Sequence, residues 1–181
     1  MENNPRDMQV YLLRHGIAEE SRAAKADADR ELTADGRRKL KDTLRAVAAA
    51  EVKPTLVLTS PLVRAAQTAE IAAAILNYKQ EILRTKALLP ASSPEQVWEE
   101  VRVHREEAEL MLVGHDPLFT RLAGYLLGVP ELHVDFKKGA ILRVDFDSFG
   151  PQPKGLLRWF LVSKLATQST RRQMKSTAPG Q

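Results

Sequence analysis

Three short apolar runs, separated by stretches of helical character, constrain most strongly what this chain can fold into. They are residues 8–13 (MQVYLL), 55–59 (TLVLT) and 110–113 (LMLV). Short apolar runs rich in aliphatic and β-branched residues are typical of buried strands. Two later runs, residues 140–146 and 156–162, flank the turn-forming residues 150–153 (GPQP) and are predicted to pair as a hairpin.

Helices are predicted between these strands from capping residues, from prolines suited to the first helical position and from one terminal glycine. They are a helix of residues 33–50 capped by Thr33, a helix that begins with Pro61, a helix of residues 93–107 with Pro94 at its first position, and a helix of residues 117–127 that ends at Gly128. Strands that alternate with helices indicate a three-layer α/β/α sandwich with a mostly parallel central sheet.

The length of 181 residues fits one domain, which we expect at residues 8–162. Residues 1–7 are predicted to be a loose leader, and residues 163–181 a flexible basic tail. The tail holds four of the 27 Lys and Arg residues and none of the 23 Asp and Glu residues, so it accounts for the net charge of +4. The remaining chain is balanced in charge, and we expect no nucleic-acid binding. The alternative, a basic nucleic-acid-binding arm, rests on this tail alone and predicts strongly salt-dependent binding.

Composition also excludes several classes of protein. The chain has no cysteine, which excludes a disulfide scaffold, an iron–sulfur centre and a thiol nucleophile. Its apolar runs are far shorter than the ~18 residues of a membrane-spanning helix, so no membrane association is expected. Residues 1–10 (MENNPRDMQV) lack the basic-then-apolar pattern of a secretory signal. These features favour a cytoplasmic location.

Cationic side chains follow the three inner strands at the points where the strands end. Arg14 and His15 follow the first strand, Arg64 lies in the first helical turn after the second, and His115 follows the third. The carboxyl ends of parallel strands meet at one edge of a sheet, where α/β proteins bind their ligands. We therefore expect these four side chains to lie close together.

A cluster of two guanidiniums and two imidazoles is predicted to bind an anionic ligand. The planar fork of arginine matches phosphate oxygens, and helix N-termini add backbone N–H donors, so a phosphoryl group is the predicted ligand. Nearby positive charge keeps an imidazole unprotonated, and a neutral imidazole is a competent nucleophile near pH 7. One histidine can therefore attack phosphorus and form a phosphohistidine that water hydrolyses, while the other cations hold the equatorial oxygens.

The residues around these positions resemble the motifs of the histidine phosphatase superfamily. The matching segments are Arg14-His15-Gly16, the LT-x-x-G turn of residues 32–36, residues 60–69 (SPLVRAAQTA) against the signature S-P-L-x-R-A-x-Q-T, and Gly114-His115. With little inserted between its motifs, the chain is most similar to the SixA-type phosphohistidine phosphatases. The resemblance implies a phosphoglycerate mutase-like fold and an enzyme that needs no metal or other cofactor.

The resemblance also implies roles for matching residues. His15 would be the phosphorylated nucleophile, and Arg14, Arg64 and His115 would form the phosphate pocket. Arg30 lies where family members often carry a basic residue near the pocket, which makes it a candidate substrate contact. An exposed ion pair is the alternative for Arg30.

The general acid is left open. Many relatives use a glutamate from a longer insertion before the third strand, which SixA-type proteins lack, and this chain shows no obvious equivalent. Asp116 resembles the aspartate proton donor of the acid-phosphatase branch and is a candidate general acid. The alternative is that Asp116 is the N-cap of the helix that follows.

The remaining histidines and the tryptophans are expected to be structural. His104 is predicted on a helix surface and His133 in a loop, while Trp98 and Trp159 are predicted to be core or half-buried anchors.

The predicted activity is hydrolysis of phosphohistidine on a protein through a covalent phosphohistidine intermediate. The partner that the resemblance implies is a histidine-phosphotransfer domain or a phosphotransferase-system protein. Two alternatives stay open: a phosphatase acting on a small-molecule phosphoester, and a binding module that keeps the anion pocket without chemistry.

Overall fold

The computed structural model describes residues 8–20 and 26–166. Within these ranges the strands are β1 (Met8–Arg14), β2 (Leu56–Thr59), β3 (Leu83–Arg84), β4 (Glu109–Gly114), β5 (Ile141–Phe146) and β6 (Leu156–Leu161). The α-helices are α1 (Ala34–Ala49), α2 (Val63–Ile75), α3 (Pro94–Val103) and α4 (Leu118–Leu127). Two single-turn 3-10 helices, Asp27–Asp29 and Lys86–Leu88, precede α1 and α3.

The strands form one sheet in the order β3-β2-β4-β1-β5-β6. Strands β1 to β4 pair in parallel, whereas β5 pairs antiparallel with both β1 and β6. The predicted hairpin of β5 and β6 is confirmed, and it carries a register shift between Arg143 and Val144. Strand β3 was not predicted, because its two exposed residues are too few to show a hydrophobic pattern.

Helices cover both faces of the sheet, and alternate residues of β1 pack against each layer. Val10 and Leu12 belong to one buried cluster with side chains of α3 and α4. Tyr11 and Leu13 belong to a second cluster with side chains of α1 and α2. Since successive side chains of a strand point to opposite faces, β1 is buried on both sides. The predicted α/β/α sandwich is confirmed.

Three of the predicted helix ends are confirmed by their capping contacts. Thr33 Oγ1 accepts a hydrogen bond from the Gly36 N–H at 3.0 Å at the start of α1. Ser93 and Gln96 form a reciprocal capping box at the start of α3. Gly128 ends α4 in the left-handed conformation, with φ of 68°.

Two helix ends differ from the prediction by two residues or more. Helix α2 begins at Val63 rather than Pro61, because Leu62 is extended (ψ 136°) and the chain turns before the helix. Helix α3 ends at Val103 rather than near residue 107. Val103 is 75% exposed, so the buried face of α3 ends at Val101, and residues 104–106 continue as turns rather than as helix.

The predicted leader, residues 1–7, lies outside the described residues, as do residues 167–181 of the predicted tail and residues 21–25. Over the ranges 8–20 and 26–166, no helix combines the length and hydropathy needed to cross a bilayer.

Candidate active site

The parallel strands deliver their cationic residues to one edge of the sheet. Arg14 ends β1 directly beside Gly114, which ends β4, so His15 and His115 follow neighbouring strands at the same level. The His15 N–H donates to the Gly114 carbonyl at 3.0 Å and extends this pairing beyond the strands. Arg64, in the first turn of α2, is 4% exposed. The structure thus brings Arg14, His15, Arg64 and His115 together.

The two histidine rings face each other across this edge. The ring centroids of His15 and His115 lie 5.0 Å apart, with 58° between the ring planes. His15 is 7% exposed and His115 is 1% exposed. Nδ1 of His15 lies 2.7 Å from the Gly16 carbonyl oxygen. A carbonyl can only accept, so Nδ1 carries the hydrogen and Nε2 of His15 keeps its lone pair.

Ser60, the residue after β2, holds the second histidine. Its Oγ lies 2.8 Å from Nε2 of His115 and also accepts a long hydrogen bond, 3.4 Å, from the Leu62 N–H. When the hydroxyl donates to Nε2, the hydrogen of the neutral His115 ring is on Nδ1. Within the described residues, this buried Nδ1 has no hydrogen-bond partner.

The two arginines are both anchored through their terminal nitrogens. Nη1 of Arg14 donates to the Phe136 carbonyl and lies 4.0 Å from a carboxylate oxygen of Asp116. Nη1 and Nη2 of Arg64 donate to the backbone carbonyl and the carboxylate of Asp27, at 2.7 and 3.0 Å. The buried Nε of each arginine has no partner among the described residues.

Burial and charge keep both histidines neutral. Burial is the main cause that lowers the pKa of His15 to about 3, and the charges of Arg64 and Arg14 lower it further. The pKa of His115 is also lowered to about 3, chiefly by burial and then by the neighbouring His15 and Arg64. Two neutral imidazoles beside two guanidiniums form a pocket that is suited to an anion.

Asp27 is a site residue that sequence reasoning missed. Its carboxylate bridges Arg64 and Arg30, with Oδ1 accepting from Nε of Arg30 at 2.8 Å. The hydrogen bond from Arg30, together with Arg64, lowers the pKa of Asp27, which is therefore ionised at neutral pH. The three-residue spacing of Asp27 and Arg30 indicates an ion pair, but nothing in the sequence links either residue to Arg64.

Arg30 is close to the pocket and fully engaged with protein atoms. Besides Asp27, it donates through Nη1 to the Glu19 carbonyl at 2.8 Å. The ion pair that was the alternative for Arg30 is present in the structure. A direct contact of Arg30 with substrate stays a prediction.

Asp116 lies on the other side of the pocket, next to Arg14. Its Oδ1 accepts from the Thr120 hydroxyl at 2.6 Å. The N-cap alternative for Asp116 is wrong, because α4 begins at Leu118 and Pro117 occupies the cap position. The contact with Thr120 leaves the second carboxylate oxygen of Asp116 turned toward Arg14. Its role as a general acid stays a prediction.

The side chains expected to be structural make none of the contacts given above for the four pocket side chains. His104 follows the last turn of α3, 3.8 Å from Glu100, and His133 is exposed in a loop. Trp98 is fully buried, and Trp159 packs at 5.9 Å from the Tyr11 ring. Within residues 8–20 and 26–166, no group of three or more His, Asp or Glu side chains is arranged to hold a metal ion.

Comparison with known proteins identifies the family. The model of the histidine phosphatase superfamily (branch 1) matches residues 10–88. An uncharacterized protein of Picosynechococcus sp. is 34% identical over 137 residues, which cover 75% of this chain and 83% of that protein. The chain belongs to the histidine phosphatase superfamily, as its motifs predict.

Several phosphatases of known structure share this fold. The protein histidine phosphatase SixA, complexed with tungstate, has a TM-score of 0.78 at 27% identity, covering 87% of this chain and 99% of that one. The putative phosphohistidine phosphatase SixA from Agrobacterium tumefaciens has a TM-score of 0.75 at 24% identity, covering 86% and 97%. The mycobacterial glucosyl-3-phosphoglycerate phosphatase has a TM-score of 0.63 at 16% identity, covering 84% and 97%. The last two show a common fold alone.

Proposed function

We propose that this protein is a phosphohistidine phosphatase, which removes phosphate from a histidine of a protein by way of a phosphohistidine on His15. The observation that carries the proposal is that three buried nitrogens have no hydrogen-bond partner within the part of the chain that the structure describes: Nε of Arg14, Nε of Arg64 and Nδ1 of His115. Buried polar groups are nearly always hydrogen-bonded, so unpartnered donors on three side chains of one cluster indicate an absent acceptor. A phosphoryl group has three oxygens to accept from them.

In the first step, Nε2 of His15 attacks phosphorus. Its lone pair forms the new P–N bond while the bond from phosphorus to the leaving group breaks and that group takes the electron pair. The Nδ1 hydrogen bond to the Gly16 carbonyl fixes the ring and supports the positive charge that develops on it. A neutral ground state of His15 makes this lone pair available without a separate base.

The pocket donors stabilise the charge of the phosphoryl oxygens during transfer. Nε of Arg14, the Nε–Nη2 side of Arg64 and Nδ1 of His115 would donate to the equatorial oxygens. Fixed donors in a buried site cost little reorganisation as the reaction proceeds, which makes this the largest expected contribution to the rate.

In the second step, water attacks phosphorus, and the bond to Nε2 of His15 breaks. The proton of the water leaves to solvent or to a nearby base, inorganic phosphate is released, and the neutral imidazole is restored. Asp116, which directly follows His115 and has one oxygen 4.0 Å from Arg14, is the carboxyl group proposed to accept the proton of the water, or to protonate a leaving group that needs an acid.

The nature of the leaving group favours phosphohistidine as substrate. The segment between α2 and β4, all of which is described, supplies no carboxylate that hydrogen-bonds or ion-pairs with the four pocket side chains. An alkyl phosphate ester needs a strong acid to protonate its leaving oxygen. A phosphorylated imidazole with a proton on its second nitrogen leaves as neutral imidazole and needs none.

The likeness to protein histidine phosphatase SixA supports the same substrate class. We propose a cytoplasmic phosphoprotein as partner, either a histidine-phosphotransfer domain or a phosphotransferase-system protein. A direct contact of Arg30 with this partner would require Arg30 to give up one of its bonds to Asp27 or to the Glu19 carbonyl.

A substrate comparison tests this proposal. The full chain should release phosphate from a phosphohistidine protein with a kcat/KM at least about 100-fold above that for sugar and nucleotide monophosphates. The reverse preference would instead support the small-molecule phosphatase. Release from none of these compounds would leave only a phosphate-binding module.

A further inference from the structure

Asp27 holds the one pocket guanidinium that is nearly inaccessible to solvent. The side chain of Arg64 is 5% exposed, while that of Asp27 is 57% exposed. Asp27 makes two contacts with Arg64, one from its backbone carbonyl and one from its carboxylate. These contacts cross from the 3-10 turn before α1 to the first turn of α2.

The choice of nitrogens decides which side of Arg64 is available to a ligand. Both contacts use the terminal nitrogens Nη1 and Nη2, and Nε has no partner among the described residues. A guanidinium presents two donor pairs, one between Nη1 and Nη2 and one between Nε and Nη2. Asp27 occupies the first pair, whereas in the second pair the Nε hydrogen has no partner among the described residues.

Arg30 keeps Asp27 in this position. Its Nε and Nη2 both contact Oδ1 of Asp27, at 2.8 and 2.6 Å, while Nη1 is fixed on the Glu19 carbonyl. The carboxylate therefore cannot rotate away from Arg64 without breaking contacts to Arg30. The chain Arg30–Asp27–Arg64 is an anchored support rather than a loose surface pair.

We propose that Asp27 is a positioning residue, which fixes Arg64 so that its Nε–Nη2 side faces the transferring phosphoryl group. This inference rests on the proposed function. Bidentate donation from that side is worth more when the fork is already oriented, and a misplacement of about 1 Å costs about 100-fold in rate. Asp27 acts through Arg64 and does not itself touch the substrate.

The opposite role, an internal anion that competes with phosphate for Arg64, predicts different behaviour. If Asp27 were a competitor, removing its charge would make every anion bind more tightly. A positioning residue would mainly affect ligands that resemble the transition state, because only those need the fork in one orientation. The affinities for vanadate, which adopts a trigonal-bipyramidal geometry, and for inorganic phosphate therefore distinguish the two roles.

The test is Asp27→Asn, with Asp29→Asn as the matched control. Asp29 lies in the same exposed turn, and no described side chain bonds to its carboxylate, so this change removes the same charge without touching Arg64. For Asp27→Asn we expect kcat to fall about 10- to 100-fold and vanadate binding to weaken at least about 10-fold, while phosphate binding changes less than about threefold. Asp29→Asn should match the parent protein in all three.

Two results would overturn the proposal: equal tightening of phosphate and vanadate, or an unchanged ratio of the two affinities. Asp27→Glu keeps the carboxylate and should recover part of the vanadate affinity, which separates positioning from a folding defect. Anion binding is measured by calorimetry without a substrate. A parent protein that binds both anions but hydrolyses nothing would therefore refute the proposed function and still decide the role of Asp27.

Discussion

The hydrogen on Nδ1 of His15 decides what this residue can do. The Gly16 carbonyl fixes it there, at 2.7 Å, and the lone pair is left on Nε2. The same ring is shielded from solvent and stands beside two guanidiniums, so protonation is unfavourable. His15 therefore has an available lone pair and a neutral ring before any ligand is bound.

Keeping two buried histidines neutral makes the fold sensitive to acid. The pKa of each is about 3 in the folded protein and about 6.5 in an unfolded chain, so the unfolded state binds more protons between these values. Stability is therefore unaffected by these groups above pH 6.5 and falls as the pH decreases below it. Between pH 7 and pH 5 we expect a loss of roughly 1–2 kcal/mol for each histidine.

The comparison that checks this is urea unfolding at pH 7 and pH 5, without phosphate, for the parent protein and His115→Asn. The variant should lose roughly 1–2 kcal/mol less over this interval. His133→Asn, at an exposed loop position, is the control and should behave as the parent. An equal loss in parent and His115→Asn would show that His115 is not held neutral.

Residues of the pocket differ in how far sequence could predict them. Arg14, His15, Arg64 and His115 follow strand ends, and that placement predicts their common location. Asp27 stands 37 positions from Arg64, in a stretch with no periodic pattern. Asp27 and Arg64 meet only because the turn before α1 packs against α2. No local sequence pattern predicts such a long-range contact.

At the scale of elements, Gly36 shows why the LT-x-x-G turn needs its glycine. Gly36 lies in the first turn of α1, where the chain after β1 crosses the helix. A Cβ on Gly36 would lie 2.1 Å from the carbonyl oxygen of Ile17 and 2.9 Å from its carbonyl carbon. Backbone atoms cannot move aside as a flexible side chain can, so only glycine allows this approach.

Gly36→Ala should therefore lower the free energy of unfolding by about 3 kcal/mol or more. In an ordinary helix the same change would stabilise by about 1 kcal/mol, so the expected sign is the reverse of that from helix propensity. Gly150→Ala is the control, since the nearest atom to its Cβ would be 3.8 Å away. A Gly36→Ala protein as stable as the parent in urea unfolding would contradict the close approach.

Helix ends were predicted correctly where contacts within a few residues determine them. Thr33, Ser93 and Gly128 mark helix ends that the structure reproduces, because each makes its capping contact or turn within a few residues. The start of α2 was placed two residues early, because Pro61 fits a first helical position as well as it fits the preceding turn. Strand β3 depends on pairing with β2 and has no pattern of its own.

On the scale of the whole molecule, strand order creates the site. Placing β4 between β1 and β2 puts His15 and His115 on neighbouring strands, and α2 returns Arg64 to the same edge. Alternation of strands and helices predicted the three layers and the common edge, but not this order. Order follows from which strands pair, a long-range property that the sequence pattern does not contain.

The positive charge that matters is local to this edge. Two guanidiniums and two neutral imidazoles form the pocket, and the Phe136 carbonyl and the Asp27 carboxylate hold the terminal nitrogens of the arginines. The buried Nε of each arginine is left without a partner among the described residues. The arrangement of strands and helices therefore orients the pocket side chains, and these few side chains carry out the chemistry.

The most direct test is to trap the covalent intermediate. The full chain is mixed with a radiolabelled phosphohistidine protein, quenched in alkali within milliseconds to seconds, and mapped by mass spectrometry. The account predicts phosphate on Nε2 of His15 that is stable in alkali and lost in acid. His15→Ala should form none and release no phosphate, while His133→Ala should behave as the parent. Full activity in His15→Ala, or label on another residue, would contradict the central claim.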